Sequence, residues 1–419
     1  MPGCGCDDAG CDSGKQLMPI EDALQLLLDS ANPVTQTEKV SLLDAQGRIL
    51  AQELFSTINV PPHDNSAMDG YAVRSADLPD AQQKRLRVSQ RIPAGQMGTE
   101  LEAGTAARIF TGAPIPPGAD AVVMQEVCTP DAGGVKISGP VALGKNIRKA
   151  GEDIQVGDSI LKKGTKLKPQ DIGLAASVGI SEVTVYRRLR VAIFFTGDEL
   201  REPGETLEPG QIYNSNRHTM RGMLHNLNCE LLDLGTVQDT LEATKSAMLR
   251  AAEEADLVMT SGGVSVGEED YIRLALEQLG QLDMWRINVK PGKPLAFGKI
   301  GKTSFLGMPG NPVSVFATFC IFARPFILKK QGATQTAAVR FSVPAAFAWS
   351  KPGKRHEYVR ARVEADDSGR SVIKLYPHQG SGVLTSTSWA NGLALIPANT
   401  TVKPGDMLEF IPFSEMSVY

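Results

Sequence analysis

The second half of the chain shows the clearest pattern of hydrophobic and polar positions. Residues 191–195 form a continuous apolar run, which is typical of a strand buried on both faces. Further strands are predicted at residues 229–234, 256–260 and 284–289, and helices at residues 215–226, 241–254, 268–279 and 312–328. This alternation predicts βαβ units, and hence a parallel sheet that binds ligands at the carboxyl ends of its strands.

The first half of the chain has shorter apolar runs. Pro19 precedes a helix with one apolar face, and Ser41 can cap a second short helix. Between residues 59 and 149, short β-favouring pieces are separated by Gly and Pro, which predicts a small β-rich domain. Because helical and strand patterns resume after residue 150, this domain is predicted to be an insertion.

The chain has 419 residues, which is too long for one core of ordinary size. We predict a multidomain α/β plus β fold with a parallel-sheet α/β domain, a small inserted β-rich domain and a C-terminal β barrel. The predicted divisions are a disordered, cysteine-containing tail at residues 1–16, a split N-terminal domain at 17–58 and 150–188, the insertion at 59–149, the α/β domain at 189–336 and the barrel at 337–419.

Charge and hydropathy exclude some partners. Lys and Arg number 43 and Asp and Glu number 47, so the chain lacks the basic surplus that binding to nucleic-acid phosphates requires. The longest apolar run, residues 315–323, is far shorter than the roughly 18 residues that cross a bilayer. The polar N-terminus has no signal-peptide core. We expect a cytoplasmic protein that binds neither nucleic acid nor membrane.

The six cysteines form two groups. Cys4, Cys6 and Cys11 lie in a Gly- and Asp-rich segment without the paired spacing of a closed zinc site, so a disordered tail and capture of a soft metal both stay open. The other three are scattered among apolar residues and are expected to be small buried hydrophobes, not nucleophiles or disulfides: Cys128, Cys229 and Cys320.

The strongest local signal is the glycine-rich turn around Gly262 and Gly263, between an apolar strand and an amphipathic helix. Glycines let backbone amides approach an anion closely, and a helix N-terminus adds positive partial charge. The turn is neither a Walker loop nor a dinucleotide fingerprint. It predicts a phosphate site, with a purely structural turn as the alternative.

Acidic residues follow several of the predicted strands. Asp198 or Glu199 could converge with Asp239 and Asp270 if the sheet is parallel, and hard oxygen ligands beside phosphate bind Mg²⁺. The alternative is that each acid merely favours a nearby helix N-terminus.

Two proline-containing turns could face an anion. The run KPGKP fixes Lys290 and Lys293 near one turn, with Arg286 close in sequence, although a solvated basic loop is the alternative. The run PGNPVS at residues 309–314 opens the long helix. In the first half, residues 62–72 form a polar loop that is expected to bind something, whereas His63 within it has no partner at metal-ligand spacing.

Seven motifs in order now resemble one family: DNSAMDGYA (64–72), TGAP (111–114), GED (151–153), TGDEL (196–200), SGGVSVG (261–267), KPGKP (290–294) and PGNPVS (309–314). The chain resembles the molybdopterin molybdenumtransferases, which are related to the C-terminal domain of gephyrin, from about residue 18 onward. The resemblance implies a homodimer of elongated four-domain subunits. It also implies that adenylylated molybdopterin is hydrolysed to release AMP while molybdate is inserted, with Mg²⁺ required. Implied partners are the molybdopterin adenylyltransferase and recipient molybdoenzymes.

Carried over motif by motif, the resemblance implies catalytic roles for Asp69, Thr111, Asp153 and Glu199, and Mg²⁺ binding by Glu199, Asp239 and Asp270. Together with the turns above, it gives the substrate-binding set Ser261, Gly262, Gly263, Ser265, Arg286, Lys290, Lys293, Pro309, Pro312, Ser314, Arg360 and Ser381. As a hypothesis, the glycine turn binds the pterin and phosphate, and the cations and Ser381 hold molybdate. Asp69, Thr111 and Asp153 would reach the same cleft from the partner subunit.

The chain departs from the family pattern at two places. Arg286 stands where the family usually has lysine, and the cysteines of the tail precede the matching region, which invites a role in metal transfer. Three other functions stay open: an adenylyltransferase acting one step earlier, a non-enzymatic scaffold, and a different hydrolase on the same α/β module.

Overall fold

Strands of the α/β region form a six-stranded sheet in the computed structural model, which describes residues 17–263 and 271–416. Across the sheet the strands lie in the order Glu230–Val237, Arg190–Thr196, Leu257–Ser261, Thr303–Met308, Pro294–Ile300 and Gly280–Arg286. Val191, Ile193 and Phe195 face one hydrophobic core, and Ala192 and Phe194 face another. The continuous apolar run is therefore buried on both faces, as the sequence predicts.

The prediction of a parallel sheet is wrong for two strands. The first four strands in the sheet order are parallel, but Pro294–Ile300 and Gly280–Arg286 are each antiparallel to their neighbours. The connections from Arg286 to Pro294 and from Ile300 to Thr303 are too short for a helical crossover, so the chain must turn back on itself.

Helices cover the two faces of this sheet: Ser215–Asn226, Leu241–Glu254 and Tyr271–Leu279, with a longer helix from Pro312 to Lys330. Asn214 and Thr240 cap the first two through side-chain oxygens. The longer helix, with a π-helical segment at Phe319–Ala323, is apolar enough to cross a bilayer by length and composition. Because 83% of its most apolar window is buried inside the protein, it serves as a core helix.

The N-terminal region joins two separate cores. The helix Ile20–Ser30 buries Ile20, Ala23 and Leu27 in the α/β core, whereas the strand Thr37–Ser41 pairs with Glu182–Tyr186. The strand Leu54–Phe55 pairs with Ser159–Leu161, and the helix Pro169–Ser177 packs nearby.

The second helix predicted from Ser41 is only a single 3₁₀ turn, Leu42–Asp44. Ser41 does cap it by accepting a hydrogen bond from the Leu43 amide, but Leu43 is 91% exposed. Leu42 is buried, so one of the two leucines of the turn packs into a core and the other remains in solvent.

Residues between these pieces form a second six-stranded sheet. Its order is Ala121–Met124, Gly70–Val73, Thr105–Ile109, Gln83–Ile92, Gly134–Ser138 and Cys128–Asp131. A short ribbon, Asn65–Ser66 with Ile147–Arg148, joins the loops beside it. Tyr71 and Val73 face one small core and Ala72 faces another, so this sheet too is covered on both sides.

The C-terminal region is a curved β-sheet. Its strands are Phe341–Pro344, His356–Ala365, Ser371–Leu375, Gly392–Ile396 and Met407–Pro412, and a short helix is formed by Thr385–Trp389. A single bridge between Ala345 and Ile373 brings the first strand alongside the third. At the opposite edge Val289–Lys290, from the α/β region, pairs in parallel with the start of His356–Ala365. The two regions therefore share a sheet.

The three described cysteines are unreactive thiols. Burial raises the pKa of Cys320 to about 12 and the pKa of Cys229 to about 12, and burial is also the main reason that the pKa of Cys128 rises to about 11. A thiol that stays protonated is a poor nucleophile. Cys4, Cys6 and Cys11 lie outside the described residues.

Candidate active site

A cleft of about 1170 Å³ opens between the α/β region and the C-terminal sheet. Both regions contribute to its walls. The predicted site residues that line it are Glu199, Ser261, Gly262, Gly263, Lys290, Lys293, Pro309, Pro312, Ser314 and Ser381. These residues are scattered over the sequence, and the ends of the parallel strands together with the shared sheet edge bring them together.

Two glycine-containing turns form the floor of the cleft. Ser261 is buried and donates its hydroxyl to the Pro309 carbonyl at 3.1 Å, and the Gly262 amide donates to the Met308 carbonyl at 3.1 Å. Gly262 has φ +95°, a left-handed conformation that favours glycine. The turns pass so closely that a Cβ on Gly310 would lie 3.6 Å from the Gly262 Cα. Small residues therefore keep the backbone exposed to a ligand.

Asn216 joins these turns from the neighbouring helix Ser215–Asn226. Its Nδ2 donates to Ser261 Oγ at 2.9 Å and to the Gly310 carbonyl at 2.7 Å. Asn214, Ser215 and Asn216 all line the cleft. The sequence reasoning missed them, although a run of Asn and Ser at a helix start was a usable signal.

A helix N-terminus faces the same space. Pro309 and Pro312 line the cleft at the start of the helix Pro312–Lys330, and Ser314 is buried in its first turn. The Val313 amide donates to the Ser381 carbonyl at 3.0 Å, which ties the helix to the C-terminal region. The other backbone N–H groups at a helix N-terminus carry positive partial charge and therefore favour a bound anion.

The lysine loop is held rigidly above the floor. The Ile287 amide donates to the Lys293 carbonyl at 2.9 Å, which closes the loop. At its tip Gly292 has φ +98°, and a Cβ there would overlap Thr318 Oγ1. The loop places two cations, Lys290 and Lys293, on the cleft wall.

Arg286 and Arg360 are not among the residues that line the cleft. Arg286 ends its strand opposite the cleft-lining Pro294. Arg360 is 1% exposed and lies behind the wall, where its Nη2 donates to the Gly380 carbonyl at 3.0 Å and its Nε to Ser386 Oγ at 2.9 Å. Burial lowers the pKa of Arg360 to about 10, so it still carries its charge at neutral pH. Its geometry supports the loop that carries Ser381.

The described acidic residues of the predicted metal site do not all line the cleft. Glu199 lines the cleft, and Asp239 follows the strand paired with Arg190–Thr196, so the two follow neighbouring parallel strands. Asp270 and Ser265 lie outside the described residues. Within residues 17–263 and 271–416, no three His, Cys, Asp or Glu side chains form a ready metal cage. Mg²⁺ commonly uses one or two protein carboxylates plus substrate phosphates, and of the two described acids Glu199 lines the cleft and fits that donor set, whereas Asp239 does not line it.

The remaining predicted residues lie in a loop cluster made of residues 59–69, 111–114 and 146–153, on the inserted domain and the segment that directly follows it. Asp69 Oδ1 accepts hydrogen bonds from the Thr111 amide and from Thr111 Oγ1, both at 2.8 Å. These two bonds lower the pKa of Asp69. Asp153 is exposed and joins the cluster through its amide, which donates to the Val60 carbonyl at 3.1 Å. None of Asp69, Thr111 and Asp153 lines the cleft of the same chain.

Three family models match consecutive parts of the chain. The MoeA N-terminal region (domain I and II) matches residues 18–179, the "Probable molybdopterin binding domain" matches residues 192–329, and the MoeA C-terminal region (domain IV) matches residues 342–413. A protein of Haemophilus influenzae named molybdopterin molybdenumtransferase is 40% identical over 404 residues, which is 96% of this chain and 100% of that protein. The chain belongs to the molybdopterin molybdenumtransferase family.

Two further relatives agree with this assignment. A molybdopterin molybdenumtransferase of Nostoc sp. is 38% identical over 87% of this chain and 86% of its own length. The crystal structure of a molybdopterin biosynthesis MoeA protein from Pyrococcus horikoshii superimposes with a TM-score of 0.82 at 31% identity, covering 95% of this chain and 100% of that one. The chain is therefore an enzyme of molybdenum cofactor biosynthesis with the multidomain, mixed-sheet fold of this family.

Proposed function

We propose that this enzyme inserts molybdate into adenylylated molybdopterin and releases AMP in a reaction that requires Mg²⁺. The observation that carries the proposal is the cleft, where glycine turns, a helix N-terminus and two loop lysines converge. Such a surface suits a ligand that combines phosphate with a second oxyanion. Relatives that cover most of the chain carry the name molybdopterin molybdenumtransferase, which supports molybdate as the second oxyanion.

The floor of the cleft would bind the pterin and phosphate end of the substrate. Gly262, Gly263 and Gly310 line the cleft and have no side chains, so a ligand can approach their backbone closely, although the Gly262 amide already donates to Met308 and the Gly310 carbonyl already accepts from Asn216. Asn216 fixes the distance between the two turns through its paired hydrogen bonds. An anion bound there would also lie near the helix that begins at Pro312.

The lysine loop would bind the oxyanion. Lys290 and Lys293 supply charge, and Ser381 on the opposite wall supplies a hydroxyl donor. Arg360 would act from behind by fixing the Gly380 carbonyl and so the loop that carries Ser381. Arg286 would contribute positive charge at the base of the lysine loop.

Glu199, Asp239 and Asp270 would hold Mg²⁺ against the phosphoanhydride. When bound, Mg²⁺ neutralises charge that develops as AMP leaves. Of the two described carboxylates of this set, Glu199 is the one that lines the cleft, so it is a residue through which the protein would orient the phosphoanhydride.

Asp69, Thr111 and Asp153 would complete the site from the partner subunit of a homodimer. Within one chain the loop cluster and the cleft are built by different domains, and the cluster does not line the cleft. A second copy that places its loop cluster over the cleft would unite the two sets. Contacts with the adenylyltransferase and with recipient molybdoenzymes would then use surfaces outside the cleft.

The proposal is tested by measuring AMP release by the purified protein from adenylylated molybdopterin, with and without Mg²⁺ and molybdate. We expect release that depends on both, followed by recovered activity of a cofactor-free molybdoenzyme. Formation of adenylylated molybdopterin from ATP and molybdopterin would instead indicate an adenylyltransferase, and no reaction at all would indicate a scaffold. The Glu199→Gln variant should lose AMP release while keeping its fold, and undiminished release would remove Glu199 from the mechanism.

A further inference from the structure

Glu357 is, besides Glu199, an acidic residue in the wall of a cleft that also carries the cations of the proposed oxyanion site. It lies near the start of the strand His356–Ala365 and is only 5% exposed. The division of labour proposed above gives it no task. A buried carboxylate beside an oxyanion site opposes binding of the oxyanion, so its presence requires a separate explanation.

The partner of Glu357 is a lysine of the oxyanion loop. Glu357 Oε2 lies 3.3 Å from Lys290 Nζ, and the two residues are also direct neighbours in the parallel pairing that joins the α/β region to the C-terminal sheet. The carboxylate is 7% exposed, whereas the lysine side chain is 46% exposed. The fixed member of the pair is therefore the carboxylate, and the flexible lysine is restrained by it.

The surroundings of Glu357 keep its carboxylate in place. A Cβ on Gly353 would overlap Glu357 Oε1, so glycine leaves the room that the carboxylate occupies. Arg355 Nη1 donates to the Val289 carbonyl at 3.2 Å and holds the shared strand pair together beside it. Glu357 also interacts through space with the buried Arg360. The carboxylate thus pairs with one cation of the proposed oxyanion site and interacts electrostatically with a second, Arg360, that does not line the cleft.

We propose that Glu357 is a positioning residue that fixes the ammonium of Lys290 for the reaction and weakens binding of the free oxyanion. The inference rests on the proposed function of the cleft. The ion pair is expected to weaken oxyanion binding, because it adds a negative charge to the site. It is also expected to hold the Lys290 ammonium in one position, because a lysine on a four-carbon stem would otherwise sample many positions. It also links the position of Lys290 to the C-terminal region, which supplies the carboxylate.

The test compares Glu357→Gln with the wild-type full-length protein. Loss of the negative charge should tighten the dissociation constant for molybdate, measured by calorimetry, by about fivefold. Loss of positioning should lower kcat for AMP release by about tenfold. Lys290 should also react faster than in the wild type with acetic anhydride, relative to Lys293, because nothing restrains it. Glu357→Asp, which keeps the charge, should restore molybdate affinity to the wild-type value.

Glu409→Gln is the matched control. Glu409 lies in the same sheet and pairs with Arg340 at 2.7 Å, but it does not line the cleft. This variant should leave affinity, kcat and labelling unchanged. Weaker molybdate binding by Glu357→Gln, or parallel losses of affinity and kcat with a lowered melting temperature, would overturn the positioning role.

The proposed function and this inference can fail separately. If the wild-type protein releases no AMP, the proposed function fails, and affinity and labelling still decide the role of Glu357. Tighter molybdate binding with faster Lys290 labelling would then support it, and no change in either would overturn it.

Discussion

The cleft and the loop cluster are built from similar sequence, yet they use their polar groups differently. Both consist of Gly, Pro, Asn, Ser and charged residues in short turns. In the loop cluster the polar atoms bind one another: Asp69 binds Thr111, and Asp64 Oδ2 accepts from Lys149 Nζ at 2.7 Å. In the cleft, backbone hydrogen bonds fix the turns together with the side chains of Ser261 and Asn216, and lysine side chains line an open volume.

This difference shows what a polar loop needs in order to form a binding site by itself. The cleft has walls from two regions that share a sheet edge, so a large volume remains between them. The loop cluster consists of the inserted domain's loops and the segment that follows them, and its carboxylates hold these loops to one another. We therefore expect the cleft to bind oxyanion in a single chain, and the loop cluster to act only when another surface covers it.

The largest effect is expected when both loop lysines are neutralised. The double variant Lys290→Gln/Lys293→Gln should lower kcat/KM for molybdate by about a thousandfold, since each charged hydrogen bond contributes about 1.5–3 kcal/mol. Steady-state AMP release at varied molybdate measures it. Lys299→Gln/Lys302→Gln, in the same sheet but outside the cleft lining, is the control. Similar losses in the two double variants would show that net charge matters and position does not.

The second-largest effect is expected when the charge of Asp69 in the loop cluster is removed, and it tests whether the loop cluster and the cleft have different roles. Asp69→Asn keeps an oxygen that can accept from Thr111 but removes the charge, so it should lower kcat by on the order of a hundredfold. Molybdate affinity should not weaken, because the variant removes no cation and no hydroxyl donor from the oxyanion site, whichever subunit completes the cleft. Asp131→Asn, which loses an exposed pair with Arg85 in the same domain, serves as the comparison. A drop in affinity equal to the drop in kcat would contradict the separation of the two regions.

The third effect tests the rigidity of the lysine loop. Gly292→Ala introduces strain at φ +98° and an overlap with Thr318, and should lower kcat/KM for molybdate by about tenfold. Gly301→Ala has similar strain, at φ +59°, but open space around its Cβ. Kinetics and thermal melting of both variants would separate the two causes. Equal activity in the two variants would mean that the overlap does not move the lysines.

The smallest effect concerns the pH dependence of the two hydrogen bonds from Thr111 to Asp69, which together form a clamp between two loops. Because the Thr111 hydrogen bonds hold the pKa of Asp69 below its ordinary value, the clamp is present above an unfolded-state pKa of about 3.9 and is lost as pH falls through the lower folded value. Hydrogen exchange at the Thr111 amide, compared between wild type and Asp69→Ala, measures this. Protection in the wild type should exceed that in the variant at pH 6. Equal protection of the Thr111 amide in the two proteins at that pH would show that Asp69 does not hold it.

Much of the fold could be predicted because its signals are local. The helix Ser215–Asn226 and the buried strand within Arg190–Thr196 follow from periodicity and continuous hydrophobicity. The reversal of strand direction after Arg286 could not be seen that way, since apolar runs look alike in parallel and antiparallel strands. The prediction that Ser41 caps a helix start is correct, but the predicted helix is only a single turn. The exposure of Leu43 depends on tertiary packing and could not be predicted from the local sequence.

Site residues that belong to sequence motifs could be predicted, whereas site residues outside such motifs could not. The turns around Gly262, Lys290 and Pro309 carry their own glycine and proline signals, and the structure brings them to one cleft. Trp349 and Glu357 also line it, but they come from an ordinary strand region without a motif. The burial of Arg360 behind the wall depends on packing against Gly380 and Ser386, which spacing in the sequence does not encode.

The most direct test of the account is to locate molybdate in crystals of the protein by anomalous scattering. We expect one strong peak in the cleft, within hydrogen-bonding distance of Lys290, Lys293 and Ser381, which disappears in the double lysine variant. The central claim is that the cleft, and not the loop cluster, binds the oxyanion within one chain. A peak beside Arg148 and Lys149 of the loop cluster, with none in the cleft, would contradict it.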